Sequence, residues 1–274
     1  MSRFHTQINV RQVIIDLPEP LRRAKIAERL AEGFSHHVLL LDQQWIVRIN
    51  KHEGVRSGQH RESELCRQVS AKTETSVPYP IELLAPGEGM PFGGSHYPVI
   101  HGTSPSDVRP YLPALGGFLQ ALHAIDQPDL PECRMIEIAR LAELLAEVGI
   151  SLVDEWCESL SELQPATMVT VHGDFWPGNI LVENDQLAAV IDFENASLGD
   201  PAIDFAGMLY LGEDIVHELL GEYRKRGGHD IPIAAVRCWA LQREAEGLEY
   251  ALRHPESGEL QDAISKVKLA LSRR

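Results

Sequence analysis

The stretch that decides the fold is Val171-His172-Gly173-Asp174-Phe175-Trp176-Pro177-Gly178-Asn179-Ile180-Leu181-Val182, followed by Ala189-Val190-Ile191-Asp192-Phe193-Glu194. Apolar runs at about 168–171 and 187–191 predict two β-strands. The glycines and the proline between these runs exclude a helix there and predict a polar loop. We therefore expect a loop that folds back on itself, followed by a hairpin.

Three polar side chains in this region predict a phosphoryl-transfer site. Asp174 and Asn179 lie in the predicted loop, and Asp192 follows the second strand. A loop and a hairpin can bring the three together, which leaves one carboxylate free to accept a proton. The other carboxylate and the amide oxygen are hard ligands of the kind that Mg²⁺ takes. Phosphoryl transfer needs such a base for the attacking hydroxyl and metal ions for the phosphates.

The spacing resembles the aminoglycoside phosphotransferase family, which includes macrolide, choline and homoserine kinases and has a protein-kinase-like fold. The resemblance is carried by H-x-D-x-x-x-x-N at 172–179, by Ile191–Glu194, and by Gly199-Asp200-Pro201-Ala202-Ile203-Asp204. It implies an α+β, bilobal fold in which a small antiparallel-sheet lobe with one paired helix precedes a larger, mainly helical lobe. Residues 1–101 would form the nucleotide-binding lobe and residues 102–274 the catalytic and substrate lobe, with the nucleotide in the cleft between them.

The resemblance also implies roles for single residues. Asp174 is the expected catalytic base, and Asn179 and Asp192 are the expected Mg²⁺ ligands. Three further residues are expected to support the loop: His172, Asp200 and Asp204. From the residues alone, Asp200 followed by Pro201 predicts a helix start, because Asp caps free amides and proline suits a first turn.

Five residues of the first lobe are expected to contact the nucleotide or to brace such a contact: Ser35, His36, Arg48, Glu62 and Ile100. Ser35 and His36 belong to a Gly-Ser loop whose backbone amides can cover phosphates, although a plain connecting turn is the alternative. Ile100 lies in the segment that resembles the hinge, where backbone groups of the family bind the adenine ring.

Arg48 stands where the family usually has a lysine that holds the α- and β-phosphates. Glu62, on a helix predicted at about Ser57–Val69, is the expected partner of Arg48. An arginine keeps the positive charge but offers a planar fork instead of a point charge. A surface charge on a strand edge is the alternative interpretation of Arg48.

Composition limits the classes of partner. The chain has 274 residues, with 25 Lys and Arg against 40 Asp and Glu, and a net charge of −15. This charge disfavours nucleic acid and anionic membranes and weakly favours a cationic small-molecule substrate. No apolar run is long enough for a membrane span, and we see no secretory signal, so a cytoplasmic protein is expected. A monomer or a homodimer is expected. The four cysteines form no C-x-x-C pair and are interpreted as buried side chains; metal-ligand spacing typical of a zinc enzyme is absent.

Hydrophobic periodicity predicts the remaining elements. In the first lobe, Pro18–Ala31 is predicted to be a helix, and Gln12–Ile15 a β-like run. Three strands are predicted there from the apolar runs: Val38–Leu41, Trp45–Ile49 and Ile81–Ala85. The segment Tyr97–Gly102 resembles the last strand of the family's small lobe and the hinge. Seven helices are predicted in the second lobe: Val108 to about Leu122, Ile136–Val148, Leu152–Leu163, Asp204–Leu211, Asp214–Arg226, Ile233–Leu252 and Glu259–Leu271. His123 and Trp156 are expected to be packed core residues.

The predicted reaction is Mg²⁺-dependent transfer of a γ-phosphate, from ATP or alternatively GTP, to a small-molecule hydroxyl. An enzyme that modifies an aminoglycoside or a macrolide, and so confers antibiotic resistance, is the leading hypothesis. Glu244, Glu246 and Glu249 could meet a cationic substrate or could form a solvated helix face. The alternatives are a metabolic kinase for choline, homoserine or a sugar, and a catalytically weak nucleotide-binding regulator. A protein kinase is disfavoured because no A-P-E segment follows Asp192, and a hydrolase because no G-x-S-x-G turn is present.

Overall fold

The computed structural model describes residues 8–32, 35–127, 129–152, 154–162 and 167–273. The chain divides into two compact units. The first comprises Met1–Thr103 with Ala188–Glu194, and the second comprises Ser104–Leu187 with Asn195–Arg274. In the described ranges, no helix is both long enough and apolar enough to cross a membrane.

The first unit is built on a five-stranded antiparallel sheet with the strand order β1-β2-β3-β5-β4. The strands are β1 (Ala27–Glu32), β2 (His36–Leu41), β3 (Trp45–Asn50), β4 (Glu82–Leu84) and β5 (Gly94–Pro98). Two helices belong to the same unit: α1 (Val10–Asp16) and α2 (Glu53–Lys72). The strands predicted from the apolar runs are confirmed, and the predicted paired helix is longer at both ends than 57–69.

The start of the chain was predicted incorrectly. The Gln12–Ile15 run lies in helix α1, where the side chain of Asn9 accepts a hydrogen bond from Gln12 N at 3.4 Å. The predicted helix over Pro18–Ala31 is instead a short 3-10 turn followed by β1. Leu30 is half exposed, so the apolar spacing in this segment does not form a buried helical stripe. Pairing of β1 with β2 overrides the local pattern.

The second unit is mainly helical. Its helices are α3 (Leu112–His123), α4 (Ile138–Glu147), α5 (Asp154–Glu162), α6 (Ile203–Ala206), α7 (Glu213–Lys225), α8 (Ile233–Arg253) and α9 (Leu260–Ser272). Each predicted helix is confirmed within a few residues at its ends, except that 204–211 is a short α-helix continued by a 3-10 turn. The predicted end at Leu163 lies outside the described residues. The α+β class is confirmed.

Short strands carry the segment that decides the fold. They are β6 (Val169–Val171), β7 (Ile180–Glu183), β8 (Gln186–Val190) and β9 (Ser197–Gly199). β6 pairs with β9 antiparallel, and β7 and β8 form a two-stranded sheet. The predicted loop between the apolar runs therefore begins at the end of β6, and the predicted hairpin follows it.

A large apolar core of the second unit holds α4, α5, α8 and α9 together. Trp156 is buried in this core and donates from Nε1 to the backbone oxygen of Leu271 at 3.1 Å, as expected of a core tryptophan. The interpretation of every cysteine as buried is only half right. Cys66 and Cys238 are buried, whereas Cys133 and Cys157 are partly exposed.

Candidate active site

The loop after β6 begins with a fully buried histidine. His172 is completely shielded from solvent, and its ring meets the ring of Phe175 edge to face at 5.9 Å. Its Nδ1 accepts a hydrogen bond from Asp174 N at 3.2 Å. The imidazole therefore holds the backbone nitrogen of Asp174 in place.

The buried carboxylate of Asp204, on α6, braces the loop backbone. Its two oxygens accept hydrogen bonds from His172 N at 2.8 Å and from Gly173 N at 2.9 Å. His123 Nε2 lies 3.0 Å from the same carboxylate, and His123 Nδ1 lies 2.8 Å from the hydroxyl of Tyr223. Because an ionised carboxylate only accepts, Nε2 is the donor, and in the neutral ring Nδ1 accepts from the tyrosine. The expected packed role of His123 is confirmed.

Asp200 shapes the turn that leads into α6. Its Oδ1 accepts a hydrogen bond from Ala202 N at 2.8 Å, and its backbone oxygen accepts from Ile203 N at 3.0 Å. This is the local bond by which Asp favours turns and helix starts. Asp200 therefore fixes the direction of the helix that presents Asp204.

Gly173 allows the loop to approach the segment before β9. Its φ angle is +80°, and a side-chain carbon at this position would lie 2.1 Å from the backbone oxygen of Asn195. Only glycine satisfies both conditions without displacing backbone. The tight approach aligns Asp174 at the start of the turn that ends with Asn179.

The carboxylate of Asp174 is held by two donors. Asn179 Nδ2 donates to Asp174 Oδ2 at 3.0 Å and to the Asp174 backbone oxygen at 2.9 Å. Arg243 Nη1, on α8, lies 2.6 Å from Asp174 Oδ1. The predicted base and the predicted metal-ligand amide are thus neighbours, and a cation that was not predicted joins them.

Arg243 was not predicted to belong to the site, because no short motif links it to Asp174. The helix that carries it was predicted. Burial alone would lower the pKa of its guanidinium, but Asp174 and Tyr210 outweigh burial and raise this pKa. The neighbouring Glu244 is buried and accepts a short hydrogen bond from the hydroxyl of Tyr210. The interpretation of 244, 246 and 249 as a solvated face is therefore wrong for Glu244.

In the first unit, Arg48 on β3 and Glu62 on α2 form a buried bidentate ion pair. Arg48 Nη1 donates to Glu62 Oε1 at 2.8 Å, and Nη2 makes a shorter bond to Oε2. Burial alone would lower the pKa of Arg48, but Glu62, with Tyr97 and Asp192, raises it. The alternative of Arg48 as a surface charge is wrong, because the guanidinium is buried.

Ser35 and His36 are buried at the start of β2. His36 Nδ1 lies 3.1 Å from Glu194 Oε2. Burial would raise the pKa of Glu194, but hydrogen bonds from His36 and Ser35 lower it. Among the described residues, His36 Nε2 is buried without a hydrogen-bond partner. Gly33 and Phe34, the rest of the proposed phosphate loop, lie outside the described residues.

Asp192 follows β8 in a left-handed backbone conformation, with φ of +69°. Non-glycine residues rarely adopt this conformation, and such positions are frequent at functional sites. Its carboxylate is part of the charge environment of Arg48. Ile100 lies partly buried just after β5, outside regular secondary structure.

Asn179 and Asp192 each offer an oxygen of the kind that Mg²⁺ takes. Asn179 uses its amide nitrogen on Asp174, so its amide oxygen is the atom left for a cation. The side chain of Asp192 is a carboxylate. Mg²⁺ needs few protein ligands, because water and substrate phosphates complete its shell. In the part of the chain that the structure describes, no group of three or more His, Cys, Asp or Glu side chains could hold a metal ion.

Comparison with known proteins identifies the family. A family model described as "Phosphotransferase enzyme family" matches residues 26–246. A viomycin phosphotransferase of Streptomyces vinaceus is 30% identical over 135 residues. That match covers 46% of this chain and 45% of the relative, so the chain spans less than half of that relative's length.

Two solved structures show the fold. A GDP and kanamycin complex of the phosphotransferase APH(2″)-IIIa matches with a TM-score of 0.79 and 19% identity over 97% of this chain and 98% of that one. A macrolide 2′-phosphotransferase type I matches with a TM-score of 0.67 and 19% identity over 88% of this chain and 90% of that one. These likenesses confirm the predicted protein-kinase-like fold. Because the family model matches well over half of its 274 residues, the chain belongs to the phosphotransferase enzyme family.

Proposed function

We propose that the protein transfers the γ-phosphate of ATP, or of GTP, to a hydroxyl group of a small molecule of the aminoglycoside or macrolide type. The observation that carries this proposal is the buried support beneath Asp174. His172 and Asp204 hold the loop backbone, and Asn179 holds the side chain. A carboxylate fixed in this way is suited to orient one hydroxyl.

In the proposed reaction, Asp174 accepts a hydrogen bond from the acceptor hydroxyl and turns its oxygen toward the γ-phosphorus. A bond forms between that oxygen and the phosphorus as the bond from the phosphorus to the β,γ-bridging oxygen breaks. The bridging oxygen leaves with the nucleoside diphosphate, and the hydroxyl proton passes to Asp174 and then to solvent. Orientation and charge neutralisation provide most of the acceleration of such transfers.

The nucleotide is assigned to residues 1–101, and the acceptor to residues 102–274. Arg48, braced by Glu62, would hold the α- and β-phosphates, while Ser35 and His36 would cover the phosphates and the backbone of Ile100 would meet the base. The unpartnered Nε2 of His36 supports a polar ligand at this place. The solved relatives in complex with GDP and with ATP support binding of a purine nucleotide.

Asn179 and Asp192 would hold Mg²⁺, which when bound neutralises charge on the phosphates. The similarity to a viomycin phosphotransferase supports a role in antibiotic modification. The acceptor itself is proposed only as a class, because the solved relatives with an aminoglycoside share low identity with this chain.

The decisive experiment is a coupled nucleotide-consumption screen with aminoglycosides, macrolides, amino alcohols and sugars as acceptors. We expect acceptor-dependent release of nucleoside diphosphate for at least one antibiotic. Asp174→Asn should lower kcat by about 100-fold or more while nucleotide binding persists, since a positioned base contributes about 10² to 10⁴ in rate. Asp192→Ala should weaken Mg²⁺-nucleotide binding.

Three results would contradict the proposal. Turnover that survives Asp174→Asn would remove the assigned base. Nucleotide binding without transfer to any acceptor would favour a regulatory protein, and phosphate on Ser or Thr of test proteins would favour a protein kinase.

A further inference from the structure

We propose that Arg243 is a positioning residue for this reaction, which fixes the carboxylate of Asp174 in the orientation that an acceptor hydroxyl requires. The inference rests on the proposed function of Asp174 as the base. Arg243 lies on α8, far from the loop in sequence, and Nη1 reaches Asp174 Oδ1 at 2.6 Å. No short motif of the chain assigns it a role.

A carboxylate needs two anchors to be fixed. The last torsion of an aspartate side chain has broad, roughly two-fold minima, so one contact leaves the carboxylate plane free to turn. Asn179 holds Oδ2 at 3.0 Å, and Arg243 holds Oδ1. The two donors act on different oxygens, and each oxygen keeps a lone pair for a hydroxyl.

Arg243 is itself held in place. Its side chain is 30% exposed, and it hydrogen-bonds the hydroxyl of Tyr210 as well as Asp174. That hydroxyl donates in turn to the buried carboxylate of Glu244. A continuous polar chain thus runs from Asp174 through Arg243 and Tyr210 to Glu244, and it ties the loop to α8. A guanidinium that was only a surface charge would not bond both Asp174 and Tyr210.

The size of the expected effect follows from positioning. A misplacement of about 1 Å at a reacting group costs about 100-fold in rate. Arg243→Met should therefore lower kcat by about 10- to 100-fold and leave the KM for nucleotide within about twofold. Arg243→Lys, which keeps the charge but not the fork, should lie between this variant and the wild type.

The matched control is Arg237, which lies six residues earlier on α8. Its guanidinium pairs with Glu213 at 2.7 Å and is buried to a similar degree, with 22% of the side chain exposed. Arg237→Met removes an ion pair of the same helix without contact to the loop. It should leave kcat unchanged even if it lowers stability.

The experiment compares kcat and KM of the wild type and the three variants with the best acceptor from the screen, with and without added guanidinium at low millimolar concentration. Loss of kcat in Arg243→Met, partial recovery of kcat with guanidinium, and no recovery in Arg237→Met would support the proposal. A kcat of Arg243→Met within twofold of wild type would overturn it. An equal loss in Arg237→Met would also overturn it, because the effect would then be structural.

A readout without catalysis separates this proposal from the proposed function. Arg243→Met and Asp174→Asn each change the urea-unfolding midpoint. If the ion pair forms in solution, the change in the double variant should differ from the sum of these two changes. Additive midpoints would overturn the assigned contact even in an active enzyme. Non-additive midpoints in a protein that turned over no acceptor would instead refute the proposed function and leave the contact intact.

Discussion

At the scale of the residue, the buried pair of Arg48 and Glu62 shows what an arginine at position 48 does that a lysine would not. The two side chains are only 6% and 4% exposed, and the guanidinium donates to the carboxylate from both terminal nitrogens. A lysine in this position would satisfy one carboxylate oxygen at a time. The planar guanidinium of Arg48 satisfies both carboxylate oxygens of Glu62. The pair therefore fixes α2 against β3 and also positions the positive charge of Arg48.

Removal of Arg48 should therefore be costly to the fold. Arg48→Met leaves the carboxylate of Glu62 buried without a cation, so we expect a loss of about 3–5 kcal/mol in the free energy of unfolding. Arg48→Lys should lose less. The measurement is urea unfolding without nucleotide.

The control variant for this prediction lies on the same helix. Arg67→Met breaks an exposed pair with Glu64 and should barely move the unfolding midpoint. Equal shifts for Arg48→Met and Arg67→Met would show that the buried pair is not needed for stability.

At the scale of the element, the β2–β3 hairpin depends on two residues in a left-handed conformation. Asp42 and Gln43 have φ angles of +48° and +57°. Asp42 also accepts hydrogen bonds from the backbone nitrogens of Lys25 and Ile26 at 2.9 and 2.8 Å, so its side chain shapes the entry to β1. The side chain of Gln43 donates to Glu28 Oε1 at 3.3 Å in an exposed contact.

Gln43→Gly should stabilise the protein by about 0.5–1 kcal/mol, because glycine adopts this left-handed conformation without strain. Gln44→Gly, one position later and outside the left-handed pair, should destabilise it by a similar amount. Thermal unfolding of the two variants checks the prediction. A lower melting temperature for Gln43→Gly than for wild type would show that the turn is not strained.

The elements also show which parts of the structure could be predicted from sequence. Helices such as α7 and α8 were predicted nearly to their ends, because a buried apolar stripe repeats along them. The segment over Pro18–Ala31 was not, since strand β1 within it is defined by pairing with β2 and the side chains of Ile26 and Leu30 are exposed. Asp174, Asn179 and Asp192 were proposed as site residues from local spacing. Arg243 and Tyr210 were not, because contacts between distant segments leave no such spacing.

At the scale of the whole molecule, the excess of acidic residues sets how stability should respond to acid. Several glutamates accept hydrogen bonds from cationic side chains, and these bonds lower the pKa of each glutamate. They are Glu64, Glu213, Glu222 and Glu249. The pKa of Glu64 falls to about 2. In the unfolded chain, the pKa of a glutamate is about 4.3.

The folded state therefore binds fewer protons than the unfolded state in acid. The stabilisation is complete above the unfolded pKa and is lost as pH falls through each folded pKa. We expect the urea midpoint to decrease steadily from about pH 5 to about pH 2. Glu213→Gln should flatten this dependence, and about 0.5 M salt should weaken it by screening surface pairs. A midpoint that stayed constant to pH 3 would contradict the assignment.

The carboxylate of Asp204 has a consequence for how the loop before Asn179 can deform. It takes donors from the loop backbone and from the last turn of α3, in an interior without solvent. Any opening of the loop would break several charge-assisted bonds together, with no water at hand to replace them. The segment that carries Asp174 lacks regular secondary structure, yet it should resist hydrogen exchange like a helix in the core.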